Sequence, residues 1–420
     1  MWEKDSQFSF ELQTLDHLIP QDDKYRIIKE NIDFSFINDL AKSCYSLLGR
    51  EGIEPAALFK MLLVMYLENI PSERELEEQI QYNLKYRWFC DLDTFSFAPD
   101  HSTFSRLRER LGDELFKEIF TQIVARALGL GFVRARHLAI DSTSVIADCK
   151  EPPYNKEDID PKTGRHIPSK SDTDPDARWG KKSKNRAFFG YKAHQLVDSE
   201  TGFILGFDTT DASINDHIPA LEIVDEAIDT HKVKPESLSG DKAYTDGSLR
   251  LNLKKKHDIQ PVIPFKKEKA TKFFSRDKFK LDCEGNPICP AGVKMRFTQI
   301  DSKSNSLRYR GVGCRDCDLK PQCTTSKKGR SVQFSEDEFL LSQDRSFNLS
   351  PEFELLYRLR SSVERVHGDA KKNHSLDRAK FREKWKVNFQ VIMTAIAMNI
   401  KRLASWFLNG PPQPKVVVES

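Results

Sequence analysis

The sequence predicts an α/β protein, a mixed sheet flanked by helices, with an all-helical N-terminal domain and a small cysteine-rich insertion. Three observations predict it. Residues 25–130 carry apolar side chains at three- and four-residue spacing, the period of packed helices. Residues 137–264 alternate β-branched runs with helical ones, the pattern of an α/β layout. Residues 265–346 hold five of the eight cysteines and little helical periodicity.

The elements follow in order. Residues 55–67 (PAALFKMLLVMYL) read as an apolar helix, and Asn69 with Pro71 marks its end. Ser72 and Glu75 form a capping box that opens the next helix. A further helix from about 102 to 111 precedes an amphipathic one over 114–128. Helices joined by such short turns suit helix-turn-helix DNA binding, although plain helical hairpins share the pattern. Strands are predicted at 137–146 (HLAIDSTSVI), 188–197 and 202–210, the last two joined through the turn DSETG. A helix over 218–230, a strand ending in SLSGDKAY, a helix over 246–255 and a strand over 260–264 complete the sheet. Between the first two strands, residues 150–185 are rich in Pro, Asp, Lys and Ser and read as a long loop. The expected segments are 1–130, 131–264, 265–347, 348–407 and a tail over 408–420.

Composition limits the function. The chain has 420 residues, 39% hydrophobic and 31% charged, and a net charge of only +3, so any contact with DNA must come from local patches. Two are visible: residues 254–280, where Phe265, Phe273, Phe274 and Phe279 interleave with lysines, and residues 378–386. The start, MWEKDSQFSF, lacks the pattern of a signal peptide, and the apolar runs 57–67 and 391–400 are short for a bilayer. A cytoplasmic protein with no membrane partner is expected.

The densest cluster of chemistry is residues 357–371 (YRLRSSVERVHGDAK). Read as one helix at about 100° per residue, with Tyr357 at zero, Arg360 falls near 300°, Glu364 near 340° and Lys371 near 320°. Leu356, Leu359, Val363, Val366 and Ala370 fill a neighbouring apolar arc that would pack on a sheet. A carboxylate among two cations and a phenol suits a site that grips a phosphodiester and holds a metal. Asp141 sits inside a strand, where an aspartate is costly unless it is paired or ligates a cation. Asp241 follows Gly240 just beyond a strand end, where α/β sheets place ligands. Asp141, Asp241 and Glu364 are therefore the candidate ligands of Mg²⁺ or Mn²⁺. On composition alone, Asp148, Asp198, Asp208, Asp211, Asp216 and Asp246 compete.

Taken in order, these motifs resemble the bacterial insertion-sequence transposases of the DDE class, from about Asp16 to Leu403. Tyr357, Arg360, Glu364 and Lys371 reproduce the spacing of that group's Tyr-Arg-Glu-Lys signature, and LAIDSTSV and SGDKAY resemble its two aspartate motifs. The stretch from PAALFKMLLV to FSRLRERLG is similar to the helical N-terminal domain of one branch of the group. The resemblance implies an RNase H-like catalytic domain and a homodimer acting on double-stranded DNA, both terminal inverted repeats and target. It also implies catalytic and metal-binding roles for Asp141, Asp241 and Glu364, and DNA contacts for Tyr357, Arg360 and Lys371.

Within the insertion, CPAG at Cys289 and GCRDCDLKPQC suit a four-thiolate zinc knuckle of Cys289, Cys314, Cys317 and Cys323. Cys283 competes as a ligand, and reduced, merely packed cysteines are the plain alternative. Cys44, Cys90 and Cys149 read as core or incidental thiols. His194 and His367 are within reach of the site in sequence pattern, but a lone histidine is more often structural. The function expected is a metal-dependent DNA transposase that cleaves at the element ends and joins the 3′ ends to target DNA. An endonuclease on the same fold without strand transfer, or a domesticated end-binding protein, are the alternatives.

Overall fold

The computed structural model describes residues 15–45, 52–93, 96–153, 170–183, 186–266, 272–301, 306–335 and 337–410. The opening MWEKDSQFSF, residues 154–169 of the expected loop and most of the expected tail lie outside the described residues. Contacts divide the chain into two units, Met1–Pro235 with Leu359–Ser420, and Glu236–Arg358.

The first unit opens with α1 (Lys24–Asn31), α2 (Phe36–Ala41), α3 (Pro55–Leu67), α4 (Glu73–Tyr82), α5 (Leu84–Phe89) and α6 (His101–Gly129). Helix α3 begins on a proline and buries every residue except Lys60, as a helix apolar on all sides must. Ser72 accepts a hydrogen bond from the Glu75 amide at 3.2 Å, so α4 starts at the predicted cap. The two helices read over 102–111 and 114–128 are the arms of α6, separated at Gly112, whose φ of 67° only glycine adopts without strain.

Four strands follow: β1 (His137–Ile146), β2 (Arg178–Ser183), β3 (Arg186–Asp198) and β4 (Ile204–Asp211). Strand β3 pairs antiparallel with β1, from Leu138 opposite Asp198 to Ile146 opposite Gly190, and with β4. A Cβ at Gly190 would meet the Val145 carbonyl oxygen at 2.2 Å, so only glycine allows the strands to approach there. Strand β2, paired with β3, corrects the reading of 150–185 as loop throughout. Its polar sequence, RWGKKS, has no alternation to announce it; the edge offered by β3 supplies its hydrogen bonds. Helix α7 (His217–His231) packs on β3 and β4.

In the second unit, β5 (Ser237–Ser239), α8 (Gly247–His257) and β6 (Gln260–Val262) form a parallel strand pair with its connecting helix. The cysteine-rich insertion comprises the hairpin β7 (Lys280–Leu281) and β8 (Pro287–Ile288), then an antiparallel sheet of β9 (Arg296–Asp301), β10 (Ser306–Arg310) and β11 (Ser331–Ser335). The short helix α9 (Lys320–Cys323) lies between the last two strands; α10 (Glu338–Phe347) and α11 (Pro351–Arg358) close the unit. Antiparallel strands β1, β3 and β4, with β2 added on β3, then a parallel pair with a helix between them, follow the element order of an RNase H-like fold.

The chain returns to the first unit as α12 (Ser361–His374) and α13 (Lys384–Asn409). Helix α12 lies on β1 and β3 with Val363, Val366 and Ala370 buried. Its place along β1 is fixed just beyond it, where the Ile146 amide donates to the Asp377 carbonyl (2.9 Å) and the Ala379 amide to the Ile146 carbonyl (2.8 Å). His374 bonds through Nδ1 to the Tyr66 carbonyl at 2.8 Å, tying α12 to α3. Helix α13 is the central core helix, packed by α1, α3, α6 and β4. Its buried Asn399 exchanges two 2.8 Å bonds with the Ile204 backbone, satisfying both polar groups of that residue. With 26 residues, α13 is longer than the 391–400 run and passes by length and composition as a membrane span. However, 67% of its most apolar window is buried inside the protein.

Candidate active site

Asp141 extends from the middle of β1, opposite Gln195 of β3. Its Oδ1 accepts from the Ser142 amide at 2.8 Å, and its Oδ2 faces the Arg360 guanidinium at 3.3 Å. The other arm of Arg360 bonds to the Glu364 carboxylate, one turn along α12. One guanidinium therefore joins two carboxylates that the chain separates by more than two hundred residues. Asp141 and Arg360 are 21% and 18% exposed and Glu364 is 54% exposed, so the group opens to solvent on the glutamate side. Farther along α12, Lys371 reaches Ser144 of β1 at 3.4 Å.

The structure thus brings Asp141, Arg360, Glu364 and Lys371 to one α12–β1 face, but not by the predicted helix. The run 357–371 is not continuous: α11 ends at Arg358 and α12 begins at Ser361, with Arg360 as its N-cap residue. No side chain caps the start of α12: the Ser361 hydroxyl accepts from the Arg365 guanidinium at 3.1 Å, and the Ser362 hydroxyl is buried without a partner. Arg360, Glu364 and Lys371 keep their common face, whereas Tyr357 leaves the wheel. It belongs to the second unit, where its ring stacks on Phe353 with centroids 5.5 Å apart and planes 11° from parallel.

Asp241 also belongs to the second unit. It stands two residues past β5 and caps a single 3₁₀ turn, Lys242–Tyr244, its Oδ1 accepting from the Ala243 amide at 2.6 Å. This is the position beyond a strand's carboxyl end where α/β sheets place ligands.

The two histidines are structural. His194 is buried on β3, with Nε2 bonded to Thr210 Oγ1 at 2.8 Å, and burial pushes its pKa down to about 4. His367 is buried on the inner side of α12; burial, helped by the nearby Lys371, His194 and Arg360 charges, pushes it down to about 3. Neutral imidazoles thus lie beneath the carboxylate face. Sequence reasoning missed Gln195, the cross-strand partner of Asp141, whose two amide atoms are buried without hydrogen-bond partners. Its only signal was a polar residue in an apolar strand.

Among the described residues, one group of metal-capable donors lies within 4.8 Å of one another, Glu77, Asp100 and His101. These residues carry out local tasks at the start of α6: Asp100 caps Ser102, and His101 pairs with Glu77 at 3.1 Å. None of the three is a predicted ligand.

Comparison with known proteins gives two family matches. Residues 13–110 match a transposase domain, DUF772, and residues 288–404 match a transposase DDE domain that spans Glu364 and four of the five cysteines of the insertion. No curated protein matches the sequence. Among solved structures, the chain is similar to a piggyBac transposase synaptic complex with hairpin DNA, at 12% identity and a TM-score of 0.36, covering 91% of this chain and 72% of that one. It is also similar to a Mos1 strand transfer complex, at 11% identity and a TM-score of 0.17, covering 90% and 98%. Likeness this low leaves the assignment to the two domains, which follow each other in the order the motifs imply, and by them the chain belongs with the DDE transposases.

Proposed function

We propose that this DNA transposase binds the terminal inverted repeats of its insertion sequence, cleaves DNA at the element ends and joins the freed 3′ ends to target DNA with Mg²⁺ or Mn²⁺. The observation that carries the reading is the sharing of Arg360 by Asp141 and Glu364, since two carboxylates held that close by separate elements form a ready seat for positive charge. Hard oxygen donors suit Mg²⁺ or Mn²⁺, and Asp241 is the third donor. When bound, such cations lower the pKa of an attacking oxygen and neutralise charge on the phosphate.

The residues of the chain have separate tasks. Asp141 is fixed by β1, and its bond from the Ser142 amide holds one carboxylate oxygen in place. Glu364, more exposed, keeps freedom to turn toward a ligand. Arg360 and Lys371 present cationic groups on the same face for the phosphodiester, and Tyr357 contacts DNA near the element end. Water is the first nucleophile, releasing a 3′-hydroxyl, and that hydroxyl attacks the target phosphodiester, with a 3′ oxygen leaving in each step. Residues 1–130 supply end binding and the homodimer contact.

The test is reconstitution on the element's own ends. Wild-type protein should cut them and join pre-cleaved 3′ ends to a target plasmid only with a divalent cation. Asp141→Asn, Asp241→Asn and Glu364→Gln should each lower both rates by at least about a thousandfold, roughly 4 kcal/mol of barrier, while end binding persists. Unimpaired cleavage by one variant removes that residue from the site. Cleavage without joining leaves an endonuclease.

A further inference from the structure

Four of the five cysteines in the second unit converge. Cys289, Cys314, Cys317 and Cys323 line one pocket of about 150 Å³, whereas Cys283 is exposed and is not part of the lining. The four come from three separate segments: the tight turn after β8, the 3₁₀ turn Cys314–Asp316 with its C-cap Cys317, and the end of α9. From these observations we infer that the second unit carries a structural Zn²⁺ bound by Cys289, Cys314, Cys317 and Cys323.

The surroundings fit a tetrathiolate site. Cys289 is held by a turn in which its amide donates to Val293 (2.9 Å) and its carbonyl accepts from Gly292 (2.8 Å). Two glycines keep space for one sulfur: a Cβ at Gly311 would lie 2.6 Å from Cys314 Sγ, and one at Gly329 would lie 3.1 Å from it. Arg330, which also lines the pocket, ties two of its walls by donating to the Cys323 carbonyl (3.3 Å) and the Phe274 carbonyl (3.1 Å). Its Nε–H is buried without an acceptor, and a thiolate sulfur would supply one. The positive charge of Arg330 also offsets part of the excess negative charge of four thiolates on one Zn²⁺.

The module needs such a staple. Its core consists of Phe279, Met295, Tyr309, Val332 and Phe334, with Cys289 and Cys323 packed against it. So few buried side chains give a small domain little margin, which structural metals commonly supply. The sulfurs stand wider apart than in a loaded site, since no three fall within 4.8 Å of one another, against about 3.8 Å implied by Zn–S bonds of 2.3 Å. Zinc would draw them inward by rotamer changes at the cysteines, closing the pocket.

The test uses the full chain, purified under reducing conditions without chelator and then supplied with ZnCl₂. About one zinc per chain should remain after desalting. Alkylation mapped by mass spectrometry should show Cys289, Cys314, Cys317 and Cys323 protected by zinc and released by chelator, with Cys283 modified in both states. This readout needs no variant to fold. Cys314→Ser and Cys317→Ser should lower the retained zinc, and Cys283→Ser should not. Loss of all zinc on desalting, the same alkylation with and without metal, or protection of Cys283 in place of one of the four would overturn the assignment. Neither readout involves DNA or cleavage, so the result stands apart from that for the carboxylate site.

Discussion

Two ion-pair clusters in this molecule use the same chemistry for opposite ends. On α12 and β1, Arg360 holds Asp141 and Glu364 in a group that is open to solvent on one side. In the second unit, Asp344 of α10 takes Arg250 and Lys254 of α8, with Arg250 at 3.4 Å, and both Asp344 and Arg250 are 1% exposed. Arg250 also donates to the Ile263 carbonyl, and Gln260 reaches Asp344 at 3.4 Å, so the buried charges are closed in by further bonds. In the first cluster one guanidinium bridges two carboxylates beside an open side; in the second one carboxylate takes two cations and is shut in. A group meant to exchange partners must stay accessible, whereas one that joins helices must not.

The comparison is broken most sharply by removing its buried member. Asp344→Ala leaves Arg250 uncompensated in the interior and should cost about 3–5 kcal/mol. Asp141→Asn and Glu364→Gln, at a partly exposed pair, should change stability by at most about 1 kcal/mol. Denaturant unfolding of the three variants decides it. A large loss for Glu364→Gln would make the open cluster structural as well.

Acid should act on the buried imidazoles of the first unit. His194, His367 and His374 have folded pKa values of about 4, 3 and 4, below the ordinary 6.5, with burial as the main cause. The unfolded chain then binds protons that the folded chain refuses. Their contribution is fully present above pH 6.5 and is lost as pH falls from there toward 4, at up to about 1.4 kcal/mol per pH unit for each histidine. Melting temperatures at pH 7, 6 and 5 should fall in step, and less steeply for His374→Gln. An unchanged melting temperature over that range would place the imidazoles in contact with solvent.

What the sequence made legible follows from how local each cause is. Strand β1 is recovered at its predicted bounds and α7 within a residue at each end, because period and turn residues lie within the segments themselves. The kink of α6 at Gly112 was visible as a gap between two helical runs. The break at residues 359–360 was not, since it contains neither glycine nor proline and no side-chain cap marks the start of α12. Strand β2 exists because β3 offers an edge, and Asp344 is buried because Arg250, 94 residues earlier, meets it. Nothing near either in the sequence distinguishes it. The same holds for the four cysteines, whose spacing suggested ligands but whose distinction from Cys283 required the fold.

The smallest effect bears on the cations of the open cluster themselves. Lys371 stands on the same face, 3.4 Å from the Ser144 hydroxyl of β1, and a phosphate bound there should take its charge, so Lys371→Ala should flatten the salt dependence of end binding by about one unit of slope. The Arg360 charge faces two carboxylates. Without divalent cation, Arg360→Ala should therefore change the slope by less than about one unit. With Mg²⁺ or Ca²⁺ compensating Asp141 and Glu364, the guanidinium becomes available to phosphate, and the two variants should lose about the same slope. Equal slopes in both conditions would mean that Arg360 binds DNA independently of the carboxylates. A slope unaffected by Arg360→Ala even with divalent cation, together with a lowered melting temperature, would make Arg360 a purely structural clamp between β1 and α12.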